Sequence, residues 1–193
     1  MLELFCTDIR GAEERRARRR GRSPQKGSAF GISLLEYAVR QVWGIPLPEI
    51  VTPMGGKPEF AGETGMYFSI SHAKTHVMVA VSDAPVGVDV ETHREISAAS
   101  ANALLDETEQ AQFSFFEVWC LRESLFKLNG AGHLREVLHF RREGERILPP
   151  VPGVTSRLIE GVEGCSGAVC QERDFTVPPI RWVDAEELCV PET

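Results

Sequence analysis

Two short segments with different hydrophobic periods constrain the fold most. In Val86-Gly87-Val88-Asp89-Val90-Glu91 the valines alternate with the other residues. A strand here puts Val86, Val88 and Val90 on one face and Gly87, Asp89 and Glu91 on the other. Two carboxylates then project the same way, roughly 7 Å apart along the strand. Further on, in Trp119-Cys120-Leu121-Arg122-Glu123-Ser124-Leu125-Phe126-Lys127, residues Trp119, Glu123 and Lys127 recur every four positions and share a helix face. If that helix meets that strand, three carboxylates surround one hard cation, with Lys127 and Arg122 beside them. Mg²⁺ prefers oxygen ligands, uses few protein carboxylates and completes its shell with water and substrate phosphate. The pattern points to phosphate-ester or diphosphate chemistry.

The remaining chain alternates helical and extended patterns without an internal sequence repeat. Residues 1–9 predict an edge strand and 12–22 a polar helix broken by Ser23-Pro24. Ser28 caps a helix to about Trp43, whose apolar stripe includes Phe30, Leu34, Leu35 and Ala38. Residues 45–66 are rich in Pro and Gly and predict loop. Strands are expected at 67–70, 75–81 and 86–91, with a turn at Ser71–Lys74 and a hairpin around Asp83-Ala84-Pro85 that carries Asp89 and Glu91 at its far end. Residues 97–112 predict one or two helices broken near Asp106. A long helix over 109–129 stops at Gly130, and short strands follow near 137–142, 145–148, 154–160, 167–172 and 180–183. This order fits an α+β fold better than a wound parallel sheet.

The chain has 193 residues, enough for one good core or two small lobes. No apolar run approaches the ~20 residues that span a bilayer. The N-terminus lacks the basic and apolar regions of a secretory signal, so a cytoplasmic protein without a membrane partner is expected. Five cysteines without a C-x-x-C read as small apolar residues in a reducing compartment. Net charge is −7, yet eight basic residues, Arg15 and Arg18 among them, lie between Arg10 and Lys26. That segment could be a solvated helix face or could meet a phosphorylated cofactor or an acidic protein. Nucleic acid is disfavoured by the acidic total and by the lack of interleaved aromatics.

Gly87-Val88-Asp89-Val90-Glu91 resembles the G-x-D-x-E signature of the 4′-phosphopantetheinyl transferases, and Trp119 to Lys127 resembles their W-x-x-K-E-[AS]-x-x-K signature. Lys57-Pro58 ahead of Tyr67-Phe68-Ser69-Ile70-Ser71-His72 is similar to the K-P…F-N-x-S-H stretch of the Sfp-type branch. The runs Gly164–Cys170 and Val183–Leu188 also fit the family's last strands and tail, so the resemblance covers most of the chain.

The resemblance implies two similar small α+β lobes related by pseudo-twofold symmetry, here residues 1–86 and 87–193, in a monomer. It implies transfer of the 4′-phosphopantetheine arm of coenzyme A to a serine of an apo acyl or peptidyl carrier protein. It further implies Mg²⁺ held by Asp89, Glu91 and Glu123, with catalysis by Asp89, Glu123 and Lys127. Ser71 and His72 are then expected at the 3′-phosphate of coenzyme A, and Lys57 and Arg122 at its other phosphates, with Arg15, Arg18 and Ser28 nearby. Arg122 departs from the family's usual Lys and offers a planar fork rather than a point charge. Each residue also has a plainer reading. Glu123 and Lys127 form a common stabilising helix pair worth ~0.2–0.5 kcal/mol. Asp89 and Glu91 would suit an exposed strand, and Lys57 a loop. His72 and His76 would need one helical turn to bind zinc, and their flanks predict turn and strand. The rival functional readings are a non-catalytic coenzyme A or carrier-protein binding module and a nucleic-acid-binding protein using residues 10–26.

Overall fold

The structure, a computed structural model, describes residues 1–10, 28–53, 56–129 and 139–189. The polar helix expected over 12–22, with Arg15 and Arg18, lies outside these residues. Two antiparallel-rich sheets stack face to face, and one long helix covers each outer face. The first sheet has the order β11 (Ile180–Trp182), β1 (Leu2–Asp8), β5 (His76–Ser82), β4 (Tyr67–His72). The second has β6 (Val86–Thr92), β10 (Cys165–Gln171), β9 (Thr155–Ile159), β8 (Arg146–Leu148), β7 (Arg141–Glu143). A two-residue ladder pairs β2 (Ile50–Val51) with β3 (Glu59–Phe60) inside the stretch expected to be loop. The α+β class is as expected, and no helix among the described residues is long and apolar enough to cross a membrane.

Three apolar layers hold this stack together. Helix α1 (Ser28–Trp43) buries Phe30, Leu34, Leu35 and Ala38 against Phe5, Phe68, Val77 and Val79 of the first sheet. Between the sheets, Leu4, Cys6, Met78 and Ala80 meet Val86, Val88, Val90 and Val169. Helix α4 (Phe115–Asn129) buries Val118, Leu121 and Leu125 against Ala168, Cys170 and Ile147. The valine alternation therefore faces the inter-sheet core, and Gly87 and Asp89 face α4. Gly87 is required by this approach: a Cβ there would sit 1.9 Å from the Ser124 carbonyl oxygen and 2.6 Å from the Leu128 nitrogen. Gly87→Ala would push helix from strand and move every group the pair positions.

Both sheets contain a strand, a helix and a hairpin in the same order. β1, α1 and the β4–β5 pair are matched by β6, α4 and the β9–β10 pair. In each, the last strand lies antiparallel between the other two. The chain then crosses back, and β11 adds parallel to β1. Val183, Ala185 and Leu188 join the core beneath α1.

Four local expectations need correction. β1 is internal, because β11 takes its second edge. β5 and β6 form no hairpin: β1 and β4 occupy both edges of β5, and β6 pairs with β10 from Val86 to Thr92. Ser71 and His72 continue β4 instead of forming a turn. The expected helix over 109–129 is two helices. Asp106 caps α3 (Glu107–Gln112) after α2 (Ala98–Leu104), with Asp106 and Glu109 bonding reciprocally. Ser114 and Glu117 form a second reciprocal cap that restarts the chain as α4: the Glu117 amide donates to Ser114 Oγ at 3.3 Å and the Ser114 amide to Glu117 Oε2 at 2.6 Å. The S-x-x-E spacing carried this signal.

Candidate active site

β6 sits at the edge of its sheet, and its outer edge is bonded by side chains rather than by a strand. The Val88 amide donates to Ser69 Oγ at 3.0 Å and the Val90 amide to Ser71 Oγ at 3.2 Å. The Val86 carbonyl accepts from Lys57 Nζ at 2.9 Å and the Val88 carbonyl from Lys127 Nζ at 3.2 Å. Four edge groups that water or another strand would satisfy are thus paired, two by serines across the seam between the sheets, one by Lys57 and one by Lys127 of the overlying helix. Sequence reading missed Ser69 in this role; its alternation with Ser71 along β4 was the available signal.

Asp89 stands at the middle of this seam and is buried. Its Oδ1 accepts from Ser71 Oγ and from Lys127 Nζ, each at 2.7 Å. Its Oδ2 is buried and makes no hydrogen bond among the described residues. The Cys120 thiol lies beside it. Burial pushes that thiol well up, the Asp89 charge and the closeness of the thiol to the Asp89 side chain add to the effect, and the thiol donates to the Ser166 carbonyl at 3.3 Å. Cys6 and Cys170 are likewise buried, and their thiols are pushed up to about 12 chiefly by burial. Cys6, Cys120, Cys165 and Cys170 are all free thiols.

Glu123 and Lys127 share the face of α4 that lies over β6. Partial burial raises the Glu123 carboxyl above the usual range, and the charges of Asp89 and Glu91 raise it further, while Lys127 opposes them. Glu91, at the partly exposed end of β6, accepts a short bond from Arg94 Nη1. The strand and helix therefore bring Asp89, Glu91, Glu123 and Lys127 together. The three carboxylates lie near enough for Asp89 and Glu91 to act on Glu123, in a region where one buried oxygen lacks a partner. Their ligand atoms do not all fall within 4.8 Å of one another, as those of the second cluster below do. Such a donor set fits a hard divalent cation, which would satisfy Asp89 Oδ2 and offset the mutual repulsion felt by Glu123.

The other expected contacts divide. Lys57 is half-buried against the start of β6, and desolvation lowers its ammonium pKa. It also lines a cleft of about 650 Å³ with Glu59, Glu63, Met66 and Tyr67. His72 is exposed at the end of β4. Strand alternation puts it on the face of Phe68 and Ile70, opposite Ser71. Ser28 begins α1. Arg122, expected at phosphate, donates from Nη2 to Glu109 Oε2 at 2.8 Å and from Nη1 to the Leu104 carbonyl at 2.7 Å.

Glu109 belongs to a second acidic cluster that sequence reading did not identify. Asp106, Glu109 and His139 each place a ligand atom within 4.8 Å of the others. Here the charges are already balanced. The Glu109 side chain is fully buried, and it accepts from Arg122, from the Phe140 amide at 2.9 Å and from the Asp106 amide at 3.2 Å. Burial alone would raise its pKa, but these bonds and Arg122 lower it. Asp106 is also lowered, first by its bond from the Glu109 amide and then by Arg141, whose Nη2 lies 2.6 Å away. His139 Nδ1 approaches Asp106 at 3.0 Å and Glu109 at 3.2 Å. This cluster ties α3, α4 and the approach to β7 into one structural network.

No family model matches the chain. Among curated proteins it is similar to the 4′-phosphopantetheinyl transferase psf-1 of Bacillus pumilus, 30% identical over 53% of this chain and 49% of the relative. It is 34% identical to the 4′-phosphopantetheinyl transferase gsp of Aneurinibacillus migulanus, over 54% of this chain and 48% of the relative. A longer match, 28% identical, joins 69% of the chain to 72% of the 4′-phosphopantetheinyl transferase AcpT of Salmonella typhi. The chain thus spans about half the length of the first two relatives.

Proposed function

We propose, for a chain that belongs to the 4′-phosphopantetheinyl transferase superfamily, that it moves the 4′-phosphopantetheine arm of coenzyme A onto a serine of an apo acyl or peptidyl carrier protein. The products are holo carrier protein and adenosine 3′,5′-bisphosphate, an activity of the holo-[acyl-carrier-protein] synthase type. The observation that carries the reading is the unpartnered, buried Asp89 Oδ2 beside Lys127, with Glu123 raised by the charges of Asp89 and Glu91.

Asp89, Glu91 and Glu123 would hold Mg²⁺. When bound, the ion would neutralise diphosphate charge and act as a Lewis acid toward it. The chain's own residues do the rest. Glu123, made more basic by burial and like charge, accepts the proton of the carrier serine, directly or through water. The serine Oγ forms a bond to the β-phosphorus of coenzyme A. The bond from that phosphorus to the bridging oxygen breaks, and the electron pair leaves with adenosine 3′,5′-bisphosphate. Lys127 supplies positive charge beside Asp89, where phosphate charge builds up. His72, exposed at the end of β4, meets the 3′-phosphate, and Lys57 lies toward the nucleotide phosphates. Arg15, Arg18 and Ser28 would act near the same nucleotide. The repeated strand, helix and hairpin supports reading residues 1–86 and 87–193 as two similar lobes related by a pseudo-twofold axis, with β11 returning to the first. We take the protein to be a cytoplasmic monomer.

The test is mass spectrometry of several apo carrier proteins, acyl and peptidyl, after incubation with the protein, coenzyme A and Mg²⁺. One phosphopantetheine on one serine is expected, with none after chelation. Binding of coenzyme A or of the carriers without any mass gain would instead support a non-catalytic binding module.

A further inference from the structure

The hydroxyl of Ser71 is committed within the protein. It accepts the Val90 amide at 3.2 Å and donates its one proton to Asp89 Oδ1 at 2.7 Å. The residue is buried, only 3% exposed. A serine hydroxyl has a single donor, so no proton is left for a phosphate. A carboxylate on its own turns broadly about its terminal torsion, and its two oxygens are equivalent. Here Ser71 and Lys127 both bond Oδ1 and leave Oδ2 without a partner among the described residues.

We propose that Ser71 is a positioning residue: it fixes the rotation of the Asp89 carboxylate so that Oδ2 faces the cation. The proposal rests on the metal reading above. It reassigns Ser71 from the 3′-phosphate to the support of a metal ligand and leaves His72 as the phosphate-facing member of the pair. Ser69 supplies a control built into the same strand. It lies two residues away and accepts the Val88 amide as Ser71 accepts the Val90 amide. The two serines make equivalent seam bonds, but of the two it is Ser71 that also bonds Asp89.

The experiment titrates Mn²⁺ by electron paramagnetic resonance, with and without coenzyme A, into wild type, Ser71→Ala, Ser71→Thr, Ser69→Ala and Asp89→Asn, and records each melting temperature. Ser71→Ala should weaken Mn²⁺ by about 10-fold or more, the usual effect of removing a ligand's hydrogen-bonded support. Ser71→Thr, which keeps the hydroxyl, should restore most of the affinity. Ser69→Ala should lower the melting temperature through its lost seam bond while leaving Mn²⁺ affinity unchanged. If Ser71→Ala does not fold, Ser71→Cys, with similar volume and a weak donor, should show the same loss. Wild-type affinity in Ser71→Ala or Ser71→Cys, or an equal loss in Ser69→Ala, would overturn the positioning role. Equal affinity in Asp89→Asn and wild type, or no binding by wild type, would overturn the metal reading beneath it.

Discussion

The molecule carries two carboxylate clusters of similar composition and opposite electrostatic condition. Around Asp89, Glu91 and Glu123 the negative charge exceeds the positive charge that faces it: Lys127 bonds Asp89, Arg94 bonds Glu91, one buried oxygen has no partner, and Glu123 is shifted up. Around Asp106, Glu109 and His139 the carboxylates are bonded by Arg122, Arg141 and backbone amides and are shifted down. Closeness of carboxylates therefore does not distinguish a ligand site from a structural knot. The balance of charge does. A cluster that is satisfied stabilises the fold, whereas a cluster left short of positive charge is relieved by protonation or by a bound cation.

The largest effect should come from breaking the balanced cluster. Arg122→Ala strands the fully buried Glu109 charge and should cost about 3–5 kcal/mol of stability, measured by urea denaturation. Arg122→Lys should cost less, because the ammonium keeps the charge but cannot reach both Glu109 and the Leu104 carbonyl. A stable Arg122→Ala protein with weakened coenzyme A binding would return Arg122 to the phosphate site and erase the contrast.

Next comes Asp89→Asn, which keeps shape and removes charge. Turnover on an apo carrier protein should fall about 10²–10³-fold, with a melting temperature close to that of wild type. Full turnover would mean that the unbalanced cluster is not the catalytic one.

A matched pair of Glu→Gln variants tests the sign directly. Glu109→Gln should lose about 1–3 kcal/mol at neutral pH, since it weakens bonds that favour the ionised form. Both Glu109 and Asp106 have folded pKa values below their unfolded ones. Their contribution is present above the unfolded values, about 4, and is lost as pH falls through the folded values. The Glu109→Gln penalty should therefore shrink in acid.

The smallest effect belongs to Glu123→Gln in metal-free protein, and its sign is reversed. The folded pKa of Glu123 is raised, so the protonated form suits the fold. That contribution is present below the unfolded pKa and is lost as pH rises through the folded one. At neutral pH the glutamine variant should melt slightly higher, by about 2 °C, while losing turnover once Mg²⁺ is supplied. The gain should vanish below about pH 4, where wild type is also protonated. A melting temperature lowered by Glu123→Gln at neutral pH would show that Glu123 is already satisfied.

Much of the unbalanced cluster was legible in the chain. Alternation in 86–91 fixed which face carries Asp89, and the four-residue spacing of Glu123 and Lys127 put both on one helix face. The balanced cluster was not legible as a unit, although its parts were. Asp106 to Glu109 is a capping spacing, but Arg122, His139 and Arg141 reach it from α4 and from the approach to β7, and no local pattern links them. Ser69 reads as an ordinary strand serine, and Ser71 as a turn residue for a phosphate, until β6 is seen beside them.

The sequence by itself determined the local elements: strands where apolar residues alternate, helices where they recur every three or four residues, and caps at Asp106 and Ser114. Those choices depend on neighbours a few positions apart. Only the tertiary structure decided that β6 leaves β5 for β10, that β11 covers β1, and that hydroxyls close the open edge of β6. Strand partners are chosen by which edges remain free after all other pairings form, and that competition involves residues far apart in the chain. The same competition decided that Arg122 pairs with Glu109 and that Asp89 keeps one oxygen open.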